Sequence, residues 1–325
     1  MDNICHTLAG LALGEAGLKR KTALGNATLM VAANVPDVDA LSYLVASPLD
    51  ALGFRRGVTH GLPAMLIWPF VVTALMLLVS RLERRWRPRS AIPDPRSLVL
   101  LSAAGVLTHP ALDWLNTYGM RWLSPFSDRW YYGDAVFIVD PWMWAFLLAG
   151  VIWSARRWNS GAERAGGPAR LALACSGAYA LLMLASGAVS ERAVRRELER
   201  EGLTASRVMA APVPLNPLRR TFVAEARGGY LTGTVTWPAL AVRFEGRVAR
   251  RDASPLAQVA AASPEGRTFL SWSRFPVFRP SPDPMCELPP GSVCILDMRY
   301  WPQPWASVAV TVERPVSLQP TTSPE

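Results

Sequence analysis

Three histidines are the whole complement of this 325-residue chain, and all fall in its first third: His6, His60 and His109. Each is joined to a threonine, as His6-Thr7, Thr59-His60 and Thr108-His109. Near them stand Asp37 and Asp39 in NVPDVD, Arg55 and Arg56 in RRGVTH, and Asp113 four residues after His109. Imidazole and carboxylate donors together suit a divalent transition metal, and several imidazoles favour zinc over iron or manganese. Positions i and i+4 of a helix share a face, so His109 and Asp113 can hold one ion or two adjacent ions. Asp37 and Asp39 are two residues apart and reach one site only where the backbone turns, which Pro36 provides for. The threonine hydroxyls can orient carboxylates or water behind the donors.

Each residue alone has a plainer explanation. A histidine at a membrane boundary is more often an interface residue than a ligand, His109 and Asp113 can be a structural hydrogen bond, and Arg55 and Arg56 can face headgroups. Asp140, before Pro141, reads as a helix cap. What favours a metal site is the coincidence of all three histidines with Asp37, Asp39 and Asp113 at one end of the elements that carry them.

Those elements are membrane spans. Leu62 to Ser80 is 19 residues without a charge, long enough to cross a hydrocarbon core of about 30 Å. Ser97 to Leu115, broken by His109 and Asp113, is a second span; Ala135 to Ala155 is a third and Leu171 to Ser190 a fourth. An ionisable group within a span is expensive unless paired or coordinated, so the reading of His109 with Asp113 is functional by default. Ten arginines lie in the loops 81–96 and 154–170, which marks those loops as cytoplasmic. The net charge of +9 is thereby accounted for without nucleic acid, for which no aromatic-basic interleaving or reader motif is present. This topology carries the histidines and aspartates to the outer face. Two weakly apolar stretches flank Lys19, Arg20 and Lys21, and form either a hairpin dipping into the membrane or two helices packed on the spans.

The expected fold is a polytopic α-helical membrane domain over residues 1–190, with four spans and an N-terminal helical hairpin, followed by a mainly β extracytoplasmic domain. A charged helical stalk covers 191–203, with charges spaced for i,i+4 pairing, and the β-rich domain covers 204–315. In it TFVAEARGGYLTGTVTW reads as strand, Gly-Gly turn, strand, while LAVRFEGRVAR, RTFLSWSRFPVF, SVCILDMRYW and WASVAVTVE continue the pattern. The Pro-, Thr- and Ser-rich residues 316–325 read as a disordered tail. Cys286 and Cys294 flank ELPPGSV, and on the outer side they are expected to form a disulfide.

His6, PDVD at Pro36 to Asp39, RGVTH at Arg56 to His60, and THPALDWLNTYG from Thr108 together resemble the YdjM family of bacterial inner-membrane metal-dependent hydrolases, described also as LexA-binding. The resemblance covers roughly residues 1–145. It implies a multi-pass inner-membrane protein, relatedness to zinc-dependent phospholipases C and nucleases, and a metal-binding set of His6, Asp37, Asp39, His60, His109 and Asp113. Family members often carry a histidine where this chain has Arg55.

The expected activity is hydrolysis of an ester or phosphoester at the outer face, with membrane lipid as the surrounding partner and a lipid or other phosphoester as substrate. A metal-activated water is the nucleophile, whichever of Asp37, Asp39 or Asp113 is not taken up by the metal is the base, and Arg56 is the group that stabilises developing negative charge. The alternative is a non-catalytic membrane scaffold or sensor with a structural ion. A closed shell of four protein ligands favours the scaffold and an open, water-bearing position favours the enzyme.

Overall fold

The computed structural model describes residues 1–283, 286, 288–300 and 306–312; the tail expected over 316–325 lies outside the described residues. The helical part runs α1 (Asn3–Glu15), α2 (Gly25–Asn34), a 3-10 segment (Val35–Leu44), α3 (Pro48–Phe54), α4 (Leu62–Trp86), α5 (Pro95–Trp114), α6 (Pro141–Asn159) and α7 (Gly167–Arg200). Carboxylates of Asp2, Asp94 and Asp140 accept backbone N–H bonds at the starts of α1, α5 and α6. Asp140 is thus a cap, and it starts α6 at Pro141, several residues after the expected beginning of the third span.

Among the described residues two helices, α4 and α7, are long and apolar enough to cross a membrane. Leu66, Ile67 and Phe70 of α4 point outward, as do Leu181 and Leu182 of α7. Over the second and third expected spans, α5 and α6 are 20 and 19 residues long, α5 carrying His109 and Asp113 and α6 carrying Arg156 and Arg157. At 13 and 10 residues, α1 and α2 reach roughly 20 and 15 Å, too short to cross singly. They pack on each other and on the longer helices. Cys5, Leu8 and Ala12 of α1 join Leu115, Met143, Leu147 and Met183 in one apolar core. Glycines let α2 come close on both sides. A Cβ at Gly10 would meet Leu29 O at 2.7 Å, and one at Gly105 would meet Ala32 Cβ at 2.7 Å.

The two ends of the helical part differ. At one end, the Lys19–Lys21 turn meets both arginine-rich loops: the Asp94 N–H donates to Thr22 Oγ1 at 2.7 Å, and Arg170 Nε donates to Ala16 O at 2.8 Å. At the other end lie the start of α1, the 3-10 segment, the turn before α4 and the end of α5.

The C-terminal part is β-rich, with two antiparallel sheets. β1 (Arg207–Val213), β2 (Asn216–Ala226), β3 (Gly229–Thr236) and β4 (Ala241–Ala249) form a meander, and β5 (Pro276–Pro280), β6 (Ser292–Asp297) and β7 (Ser307–Thr311) form the second sheet. Ala226 pairs with Gly229, so the β2–β3 turn is Arg227-Gly228, one residue earlier than the glycine pair. Both turn residues have positive φ, as a two-residue hairpin of this hand requires. Between the sheets are α8 (Pro255–Ala262) and α9 (Pro264–Trp272). RTFLSW therefore belongs to a helix where a strand is expected: Ser263 Oγ accepts the Gly266 N–H, Pro264 follows the cap, and Phe269 and Trp272 bury one face. A Ser-Pro pair starts α8 in the same way.

The segment expected as a stalk is the C-terminal end of α7, and its apolar side is covered. Val194 and Leu198 pack against Phe222, Ala224 and Val235 of the first sheet. The β-rich part also sits directly on the helical loops. Buried Arg220 donates to Asp134 O and Ala210 O at 2.8 Å each and to Ser186 Oγ at 2.9 Å, joining loop, sheet and helix. Cys286 and Cys294 are bonded, tying the β5–β6 connection to β6.

Candidate metal centre

The end of α5 carries His109 and Asp113 one turn apart, both fully buried. His109 Nδ1 donates to Ala33 O of α2 at 2.7 Å, which leaves the Nε2 lone pair facing inward. His60 comes from the turn before α4. Thr59 Oγ1 donates to Asp39 Oδ2 at 3.1 Å and so accepts from His60 Nδ1 at 2.9 Å, which again leaves Nε2 as the lone-pair nitrogen. These two Nε2 atoms are 3.1 Å apart. Two lone pairs at that distance repel unless a proton or a cation lies between them.

Carboxylates complete the ring. Asp113 Oδ2 is 3.5 Å from His60 Nε2 and 3.6 Å from His109 Nε2. Asp37 approaches from the 3-10 segment, with Oδ1 3.7 Å from His60 Nε2 and Oδ2 3.8 Å from His109 Nε2. One donor atom from each of Asp37, His60, His109 and Asp113 falls within 4.8 Å of all the others. Ligand bonds of about 2.0–2.2 Å place donors of one tetrahedral ion roughly 3–4 Å apart, so these residues fit a zinc-type cation. The surroundings favour positive charge. Burial disfavours a charged His60, but hydrogen bonds with Asp113, Asp37 and Asp39 outweigh it and raise the pKa to about 10. Burial pushes the Asp37 carboxyl up, yet the His60 hydrogen bond, with the Arg55 guanidinium beside it, holds it well below the usual range.

The other two expected ligands stand beside this ring. Asp39, 2% exposed, accepts the Arg56 N–H at 2.7 Å and lies 3.4 Å from His60 Nδ1, on the side of the imidazole away from the donors. It braces the ring that His60 presents. His6 stacks on His109 with centroids 3.8 Å apart and points Nε2 at Asp113 Oδ1, 3.3 Å away. The Met1 amine also contacts Asp113 Oδ1.

The two arginines diverge. Arg56 Nε is 3.1 Å from Asp113 Oδ2, while NH1 donates to Asn116 Oδ1 at 3.1 Å and Gly119 O at 2.9 Å, and the guanidinium packs on the Tyr118 ring at 4.6 Å. Arg55 lies nearer solvent, with NH2 3.1 Å from Asp37 Oδ1 and NH1 on Asp39 Oδ1. Sequence reading passed over Asn116 and Tyr118. The Asn116 side chain also accepts the Tyr118 N–H at 2.9 Å, and Gly119 has φ +79°, so Asn-x-x-Gly was the available signal of an Asx-type turn. No local signal linked this turn to the β-rich part, where Arg299, just after β6, donates from NH1 to Thr117 O at 3.0 Å and the Trp272 ring of α9 lies 5.4 Å from that of Tyr118.

A model of the YdjM inner membrane protein family matches residues 1–190, more than half of the chain and all of the metal-centre residues. Uncharacterized protein YfhP of Bacillus subtilis is 27% identical over 164 residues, which cover 48% of this chain and 47% of YfhP. The chain therefore spans about half the length of that relative. Inner membrane protein YbcI of Escherichia coli is 29% identical over 153 residues, covering 39% of this chain and 82% of YbcI. No solved structure matches the chain.

Proposed function

The chain belongs to the YdjM inner membrane protein family, and we propose that its His/Asp cluster holds a divalent metal, zinc by donor chemistry, for hydrolysis of an ester or phosphoester at the outer membrane face. One observation carries the metal: two imidazole Nε2 atoms face each other 3.1 Å apart, with Asp37 and Asp113 beside them. The ligands in this reading are Asp37, His60, His109 and Asp113. When bound, the metal acts as a Lewis acid and supplies a nucleophilic water near neutral pH. Asp39 orients His60, and His6 holds the second oxygen of Asp113 and the face of His109. Arg56 fixes Asp113 and directs positive charge toward the reacting oxygens.

In the membrane, α4, α5, α6 and α7 are the four spans, with the arginine-rich loops and the Lys19–Lys21 turn cytoplasmic. The metal centre and the β-rich part then lie toward the outer side. Membrane lipid surrounds the helices, and a lipid phosphoester is the substrate nearest to hand.

A second reading, a structural ion in a non-catalytic scaffold or sensor, is favoured by the four protein donors, which can close a tetrahedral shell. Metal analysis of the full chain purified in detergent, followed by assays on lipid phosphoesters before and after chelation, decides between them. The enzyme reading expects bound zinc and hydrolysis that chelation abolishes and zinc restores. Bound metal with no hydrolysis leaves the scaffold, and protein without metal ends both.

A further inference from the structure

Both oxygens of Asp37 face the cluster, Oδ2 at 3.8 Å from His109 Nε2 and Oδ1 at 3.7 Å from His60 Nε2, and Oδ1 also accepts from Arg55 NH2 at 3.1 Å. The other terminal nitrogen of the same guanidinium is on Asp39 Oδ1. In a two-metal centre, a carboxylate that bridges gives one oxygen to each ion, and the ions sit about 3.5–4 Å apart. Here Asp37 Oδ1, on its side away from His60, and Asp39 Oδ1 converge on a side chain that is permanently positive. Resting on the metal reading above, we propose that the centre takes a single divalent ion and that the Arg55 guanidinium occupies the position of a second cation.

Three features of the site agree with this. Two carboxylates gathered on one side chain repel each other, and Arg55, in contact with both, neutralises that repulsion without any ion. A guanidinium seated on both oxygens excludes a second metal by volume and by charge. Arg55 is also the more accessible of the two arginines, with 16% of its side chain exposed against 5% for Arg56. A fixed cation at the mouth of the site can meet an anionic oxygen of substrate, as a second metal would.

The test is metal stoichiometry of the full chain in detergent, stripped with chelator, reloaded with excess zinc, desalted and measured by mass spectrometry of the metal. Wild type is expected to hold one zinc per chain and Arg55→Lys also one, because a cation remains. Arg55→His is expected to hold two, since an imidazole with Asp37 and Asp39 offers three donors in place of a charge. Helical circular dichroism and a monodisperse elution profile establish that each variant is folded, and Arg55→Ser serves if Arg55→His is not, with a second zinc again expected. Two zinc ions in wild type, or only one in folded Arg55→His, would overturn the inference. No zinc in wild type would instead bring down the metal reading on which it rests.

Discussion

His60 Nε2 and His109 Nε2 lie 3.1 Å apart although 49 residues separate them, and each ring has its other nitrogen engaged by a neighbour. One ring is fixed by Thr59 and Asp39, the other by the carbonyl of Ala33. The pair is therefore held in a donor geometry before any ligand arrives, which is how metal sites gain affinity.

His109→Ala removes one of four donors and should lower zinc affinity by on the order of 100-fold or more, beyond the about 10–100-fold typical of residues behind the ligands. Membrane insertion should persist, because deleting an imidazole from an apolar helix makes insertion easier. Zinc content and membrane fractionation of the same preparation check both halves. Full zinc occupancy in this variant at limiting metal would end the ligand assignment.

Asp39→Asn separates a bracing role from a ligand role. The amide keeps the shape but loses the charge that orients His60, so zinc should still bind at the same stoichiometry, about 10–100-fold more weakly. Competition with a chromophoric chelator measures this. An unchanged affinity would show that Asp39 serves only the Arg55 and Arg56 contacts.

Loops 81–96 and 154–170 should be cytoplasmic and the β-rich part outside. Alkaline phosphatase fused after Arg89 or Arg164 should be inactive, and fused after Ala226 active. The reverse pattern would place the metal centre toward the cytoplasm and remove the proposed outer-face substrate.

Arg299 and Asp297 form a fully buried pair whose arginine also holds the carbonyls of Thr117 and Tyr118. Arg299→Ala strands the carboxylate and should cost about 3–5 kcal/mol. It should also loosen Tyr118 under Arg56 and weaken zinc binding. Thermal unfolding and zinc titration of the variant give the two readouts, and a loss of stability with unaltered zinc affinity would confine Arg299 to a structural role.

Reduction of Cys286–Cys294, which closes a short loop eight residues apart, should cost about 2–3 kcal/mol. Peptide mapping without reductant should recover the linked pair from native membranes, and denaturant unfolding with and without reductant should show the difference.

Much of the scaffold was legible because its signals are local. Uncharged runs of adequate length announce α4 and α7, Asp140 before Pro141 announces the start of α6, and the i,i+4 spacing of His109 and Asp113 puts them on one face whatever the tertiary fold. Alternating strands around Arg227-Gly228 announce the β2–β3 hairpin. The helix over RTFLSW was equally local, and the Ser-Pro cap before it was the unread signal.

What sequence alone determined, then, is which residues have metal chemistry and which end of each helix they occupy. Only the tertiary structure decided their roles. Asp37 and Asp39 differ by two positions and look interchangeable, yet one joins the donor ring and the other stands behind His60, because the 3-10 segment turns them to opposite sides of that imidazole. Arg55 and Arg56 are adjacent, yet one bridges two carboxylates near solvent while the other, at φ +51°, is folded under Tyr118. His6 reaches Asp113 across 107 residues only because α1 packs against α2 through Gly10, and α2 against α5 through Gly105. Contacts of that separation depend on how helix surfaces meet, which no local pattern encodes.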